Sequence, residues 1–186
     1  MSQVDLVIKG AKLPDGSKAD LCIQGEKISD VLPSFSGDAK KVIDASGCIV
    51  LPGLVDLHTH LREPGREDAE TVLSGSRAGA KGGFTALSAM ANTSPVADTA
   101  GVVEQVYRLG QEAGYLDVFP IGAVTQGLNG EALSEIGAMA DSVAKVRVFS
   151  DDGHCVSDPL VMRRALEYIK KFDGVVAQHA QDPRMT

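Results

Sequence analysis

The chain has 186 residues, of which 44% are hydrophobic and 23% are charged, and its formal net charge is −7 at pH 7. This composition is typical of a soluble globular protein with a sizeable core, and the acidic balance argues against nucleic-acid binding. No apolar run approaches the roughly 20 residues of a membrane-spanning helix, no signal-peptide pattern is visible and the three cysteines are scattered, so we expect a cytoplasmic protein.

Residues 1–51 predict short β-strands. Val4, Leu6 and Ile8 recur at every second position, and a turn at residues 14–16 precedes further alternation. We therefore predict a small antiparallel sheet, a β-sandwich segment that is not a complete domain by itself.

From residue 52 onward, strands alternate with helices. Five strands are predicted, and their starts are about 30 residues apart, the size of one strand–helix unit. They cover residues 54–58, 84–90, 117–124, 145–149 and 175–179. The clearest helix spans residues 158–171, where Asp158 suits the N-cap and Pro159 the first helical position, and another spans about residues 99–112.

Successive units of this kind predict a parallel sheet. Polar residues follow four of the five strands at the same end, which favours a closed barrel over an open doubly wound sheet, because a barrel's active site lies at its C-terminal mouth. A complete barrel needs about 250 residues. We therefore predict the fold class α/β, with a partial TIM-type (β/α)8 barrel of about five strands over residues 52–186, truncated after the fifth strand.

The first barrel strand ends in a His-Thr-His sequence. His58 and His60 lie two residues apart, so in a strand their side chains point to the same face, where two imidazoles can bind one divalent metal ion. Arg62 shares this parity and could hold an anionic substrate group beside the metal. A chance pair is the alternative, but the position after an apolar strand favours the metal site.

Further candidates lie at the other strand ends. Asp151 and Asp152 form either a turn or a carboxylate bridge between two cations, and parity does not decide which of them would bridge. His179 ends the fifth strand, and Asn92 could cap a turn or donate to a substrate carboxylate. Two loop residues are not expected to bind the metal: His154 and Cys155.

Together these segments resemble the bacterial class I dihydroorotases of the amidohydrolase superfamily of metal-dependent hydrolases. The resemblance rests on residues 52–65, 89–95, 149–153 and 178–180. It points to the bacterial class whose metal bridge is an aspartate rather than a carboxylated lysine. Arg147 stands near the place of that lysine in hydantoinase-like relatives, and arginine cannot form the bridging carbamate.

The resemblance implies a two-zinc centre. His58 and His60 would bind one zinc ion, Asp152 would bridge two, and His179 would bind the second. The family's further metal-binding histidine and its catalytic aspartate, the proton shuttle, would lie beyond residue 186. We therefore expect the chain to be inactive or nearly so by itself.

The resemblance also implies a substrate site. Arg62 and Asn92 would hold the substrate carboxylate, and His60, Leu61 and Arg62 would line the pocket. The implied reaction is the reversible hydrolysis of (S)-dihydroorotate to N-carbamoyl-L-aspartate in de novo pyrimidine (UMP) biosynthesis, by a homo-oligomer at full length. Two alternatives stay open: another cyclic amidase of the allantoinase or hydantoinase type, or a non-catalytic partner of aspartate transcarbamoylase.

Overall fold

The computed structural model describes residues 3–185, which form two compact units, the first ending at Pro52 and the second beginning at Gly53. The first unit is a four-stranded sheet in the order β3-β2-β1-β4. Its strands are β1 Val4–Lys12, β2 Lys18–Gln24, β3 Lys27–Leu32 and β4 Ala39–Asp44.

The prediction of a purely antiparallel sheet is wrong for β4. Strands β1, β2 and β3 pair antiparallel, but β4 pairs parallel with β1, with Val4 opposite Ala39. The reason is the connection over residues 33–38, which carries the chain across to the free edge of β1 instead of turning back beside β3.

Asp20 holds this connection in place. Its buried carboxylate accepts hydrogen bonds from the backbone N–H of Phe35, in the connection, and of Gly10, in β1, each at 2.8 Å. Gly10 has a φ of +70°, a conformation that favours glycine, where β1 shifts register. The hydrogen bond from Phe35, followed by that from Gly10, lowers the pKa of Asp20.

We expect Asp20→Asn to destabilise the chain by about 1–3 kcal/mol at neutral pH, because one of the two buried donors loses its acceptor. Since the folded-state pKa of Asp20 is lowered, its contribution is present above the unfolded value of about 3.9 and is lost as pH falls through the folded value. Urea titrations at pH values above and below this window would show the difference between wild type and variant shrinking in acid. Asp30→Asn, at an exposed position of β3, should stay within about 0.5 kcal/mol of wild type.

The second unit contains the five predicted strands, and all neighbouring pairs are parallel. The strands are β5 Leu54–Thr59, β6 Phe84–Ala89, β7 Asp117–Pro120, β8 Val148–Phe149 and β9 Val175–Val176. They follow one another in chain order, because a parallel bridge between Gly122 and Phe149 joins the end of β7 to β8. The last three are shorter than predicted: β7 ends at Pro120, β8 begins at Val148 and β9 ends at Val176.

Four helices connect these strands: α1 Val72–Lys81, α2 Ala100–Ala113, α3 Ile136–Asp141 and α4 Pro159–Ile169. The predicted α2 and α4 are confirmed, and the carboxylate of Asp158 caps α4 by accepting from Leu160 N and Val161 N. Helices were expected between the strands, but no bounds were predicted for α1 or for α3, which has only six residues. Within the described part of the chain, no helix is both long and apolar enough to cross a membrane.

Candidate metal centre

Three ligand atoms converge where β5 and β8 end. The two Nε2 atoms of His58 and His60 are 3.2 Å apart, and each lies 3.4 Å from Oδ2 of Asp152. A tetrahedral ion with ligands at about 2.0–2.1 Å places neighbouring ligand atoms about 3.3 Å apart. The triangle of two nitrogens and one oxygen therefore fits one face of a tetrahedral divalent ion.

His179 approaches the other oxygen of the same carboxylate. Its Nδ1 lies 3.1 Å from Oδ1 of Asp152, at the end of β9. Asp152 thus has the histidine pair on one oxygen and His179 on the other, while its own backbone N–H donates to Ser150 Oγ at 3.1 Å. A carboxylate shared in this way has the geometry needed to bridge two cations.

The neighbouring Asp151 faces away from this cluster. Its carboxylate is 1% exposed and accepts hydrogen bonds from Val124 N at 2.7 Å, from Thr125 N at 3.0 Å and from the Thr125 hydroxyl. That hydroxyl in turn accepts from Gly130 N at 2.9 Å. Of the two adjacent acids that parity could not separate, the structure places Asp152 with the histidines and uses Asp151 to hold residues 124–130.

Two side-chain amides contact the outer nitrogens of the histidines. Asn92 Oδ1 lies 2.9 Å from His60 Nδ1, and Gln181 Oε1 lies 3.1 Å from His179 Nε2. Sequence reasoning missed Gln181, although its position two residues after His179, on a segment leaving a strand end, was the available signal.

Gln178 ties the segment that follows β9 to the loop after Asp152. Its side-chain amide donates to Val156 O at 3.0 Å and accepts from Val156 N at 3.4 Å. The two hydrogen bonds hold the residue before His179 against the loop that follows Asp152. Sequence reasoning missed this residue as well.

Arg62 and Leu61 lie at the same strand end in opposite environments. Arg62 is exposed with a φ of +60°, and within residues 3–185 its guanidinium makes no hydrogen bond or ion pair, so it is free to bind an anion. Leu61 is 2% exposed and packs in the core with Val72 and Leu87. That Leu61 lines the substrate pocket stays a prediction, and its backbone is the part that would do so, because its side chain fills the core.

The loops that carry Arg62 and Asn92 are held together. Ser94 N donates to Pro64 O at 2.9 Å. Gly65, with a φ of +104°, lies so close that a Cβ there would approach Ser94 O to 2.3 Å. The close approach holds the segments that follow Arg62 and Asn92 against each other.

The two loop residues that we did not expect to be ligands lie beside the cluster. His154 is exposed and Cys155 is partly buried, and neither belongs to the three-residue ligand group found among the described residues. Both line a cleft of about 400 Å³ that also borders His179 and Gln181. The cleft gives His179 access to solvent.

A family model described as Dihydro-orotase-like matches residues 47–186. The dihydroorotase of Leifsonia xyli subsp. xyli is 67% identical over 186 residues, which is 100% of this chain and 42% of that protein. The dihydroorotase of Streptomyces coelicolor is 63% identical over 180 residues, or 97% of this chain and 42% of that protein.

Among solved structures, an L-hydantoinase (dihydropyrimidinase) from Arthrobacter aurescens matches with a TM-score of 0.79 over 96% of this chain and 41% of that protein. At 21% identity this similarity shows the fold alone, and it confirms the predicted partial barrel fold. The chain spans about 42% of the length of the two dihydroorotases, in agreement with its prediction as an N-terminal portion.

Proposed function

We propose, from the premise that this chain belongs to the dihydro-orotase-like family, that it is the N-terminal portion of a zinc-dependent dihydroorotase. Residues 1–51 would be its small sheet segment and residues 52–186 its part of the barrel. The observation that carries the proposal is the convergence of His58, His60 and Asp152 on one tetrahedral face. A homo-oligomer, an association with aspartate transcarbamoylase and a cytoplasmic location remain predictions.

In this proposal the four predicted ligands hold two zinc ions. His58 and His60 would hold one, Asp152 would bridge, and His179 would hold the other. Zinc bound there would polarise the ring carbonyl of dihydroorotate and activate water for hydrolysis to N-carbamoyl-L-aspartate. The chain's own contribution is to keep three imidazoles and one carboxylate facing each other at 3.1–3.4 Å before any metal arrives.

Arg62 and Asn92 would bind the substrate carboxylate. The free guanidinium of Arg62 has the planar fork that matches a carboxylate, and the carbonyl oxygen of Asn92 faces His60, which leaves its NH2 group to donate. The backbone of Leu61 would complete this wall. A ring carboxylate is the feature that separates dihydroorotate from hydantoin and allantoin, so this pair would set the specificity.

A chimera tests the function. The 186-residue chain would be joined to the part of the Leifsonia xyli dihydroorotase that the match does not cover. We expect the chimera to hydrolyse dihydroorotate and to leave allantoin and hydantoin intact, and the 186-residue chain to bind zinc with little or no turnover. Hydrolysis of allantoin or hydantoin in preference to dihydroorotate would overturn the proposal in favour of another cyclic amidase.

Arg62→Leu in this chimera should reduce kcat/KM for dihydroorotate by about 10- to 100-fold, mainly through KM, because a bidentate charge-assisted interaction is lost. Arg62→Lys should recover part of the loss, since lysine keeps the charge without the fork. Steady-state kinetics measure the effect, with Arg164→Leu, at an exposed position of α4, as the matched control. An unchanged KM in Arg62→Leu would remove this residue from the substrate site.

A further inference from the structure

Arg62, the residue proposed to bind the substrate carboxylate, lies in a turn that arginine seldom adopts. Glu63 N donates to Leu61 O at 2.7 Å, so Arg62 is the middle residue of a three-residue turn, and its φ is +60°. A γ-turn with a positive φ at its middle residue is rare and costs free energy. Such a backbone persists only where the surrounding structure holds it, so the contacts of the two flanking residues decide the position of Arg62.

The residue before Arg62 is anchored on helix α1. Leu61 is buried in the same core cluster as Val72, the first residue of α1. Gly75, in the first turn of this helix, leaves the space that the Leu61 side chain fills, because a Cβ at position 75 would come within 2.5 Å of Leu61 Cδ2. Leu61 is therefore held against the first turn of α1.

Glu63 is tied to the same turn of α1 by a hydrogen bond. The side chain is half-buried, and its Oε2 accepts from Val72 N at 2.7 Å. A helix leaves its first backbone N–H groups without a partner in the helix, and a carboxylate at that end also interacts favourably with the helix dipole. The hydroxyl of the N-cap residue Thr71 accepts from Ser74 N instead, at 3.0 Å. The described first turn of α1 contains no acidic residue of its own, so Glu63 supplies the negative charge from outside the helix.

We propose that Glu63 is a positioning residue for substrate binding: by capping α1 it holds the turn that presents the guanidinium of Arg62. Leu61 and Glu63 are both attached to α1, so the backbone between them is fixed at both ends. The Arg62 side chain is exposed, whereas Leu61 is buried and Glu63 is half-buried. The effect of Glu63 on substrate binding rests on the proposed function, but the turn that it holds does not.

A double-mutant cycle in the chimera tests whether Glu63 acts through Arg62. Glu63→Ala should raise KM for dihydroorotate about 10-fold with little change in kcat, because only a fraction of the molecules then hold Arg62 in the binding conformation. Glu63→Gln keeps an acceptor oxygen for Val72 N, so its KM should stay within about threefold of wild type. In the Arg62→Leu background, Glu63→Ala should have almost no further effect on KM. An equal rise in KM in both backgrounds would overturn the proposal, since a general loss of stability does not depend on Arg62.

Glu112→Ala is the matched control for the cycle. It removes a carboxylate from a cleft that Glu63 also lines, but from α2 instead of the N-terminus of α1, and its KM should match wild type. Glu63→Ala should bind Zn²⁺ as tightly as wild type in competition with a chelating dye, and weaker binding would overturn the proposal by showing a general structural role. If Glu63→Ala does not fold, Glu63→Asp takes its place, because its side chain is one carbon too short for the contact with Val72 N.

Crystal structures of the wild-type chimera and its variants separate this inference from the proposed function. We expect the φ of Arg62 near +60° in the wild type and in Glu63→Gln, and a relaxed backbone with negative φ in Glu63→Ala. An unchanged φ in Glu63→Ala would overturn the inference even if the chimera hydrolyses dihydroorotate. A chimera without dihydroorotate turnover would instead overturn the proposed function, with the structures still deciding whether Glu63 holds the turn.

Discussion

Replacement of Asp152 by asparagine should strongly weaken metal binding while leaving the chain folded. Asparagine matches the shape of aspartate, but it is neutral and only its carbonyl oxygen can act as a ligand, so it cannot serve both the pair His58 and His60 and the contact to His179. We expect zinc affinity to fall by more than about 100-fold. This loss is larger than the one expected on removing a group that only hydrogen-bonds to a metal ligand. In the chimera, kcat/KM should fall by at least about 1000-fold, equivalent to about 4 kcal/mol.

Asp151→Asn is the matched control for this change, because it makes the same substitution one residue earlier. The carbonyl oxygen of asparagine can still accept from Val124 N and Thr125 N, which both contact Oδ1, and the Thr125 hydroxyl can turn to accept from the new NH2 group. Zinc affinity should therefore stay close to wild type. Equal losses of zinc in both variants would contradict the assignment of the cluster to Asp152.

Asp151→Ala should instead destabilise the fold. Alanine leaves two buried backbone N–H groups and the buried Thr125 hydroxyl without their acceptor, and each such loss costs about 1–3 kcal/mol. We expect the free energy of unfolding to drop by about 3 kcal/mol or more, read from urea titrations followed by far-UV circular dichroism.

Comparing Asp151→Asn with Asp151→Ala separates two possible roles of the carboxylate, its charge and its capacity to accept hydrogen bonds. If the carboxylate were needed for charge rather than for accepting hydrogen bonds, Asp151→Asn would be as unstable as Asp151→Ala. A stable Asp151→Ala would show that residues 124–130 are held by other contacts. Among the Asp151→Ala molecules that remain folded, zinc affinity should fall only to the extent that the loop containing residue 151 no longer holds Asp152 in position.

Local patterns were sufficient for the parts of the fold where one segment decides its own conformation. The starts of four of the five parallel strands follow from apolar periodicity, and the capped helix α4 follows from Asp158 and Pro159. Local patterns were insufficient where a contact with a distant residue decides how a strand pairs. An example is β4, whose parallel pairing depends on Asp20 holding Phe35 from 15 residues away. The six-residue helix α3 is too short to show a period.

That His58 and His60 share a face follows from residue spacing alone, because side chains alternate along a strand, and the order of residues also shows that a carboxylate and a histidine follow later strands. The choice between Asp151 and Asp152 and the burial of Leu61 came from contacts between distant segments. The tertiary structure also brought the amides of Asn92 and Gln181 to the imidazoles. The choice of Asp152 depends on which atoms from segments 27 to 94 residues apart come within 3.4 Å of each other, such as His179 and Asp152 or His58 and Asp152. The spacing of residues along the chain determines which face of a strand a side chain points to, but not which residue it contacts.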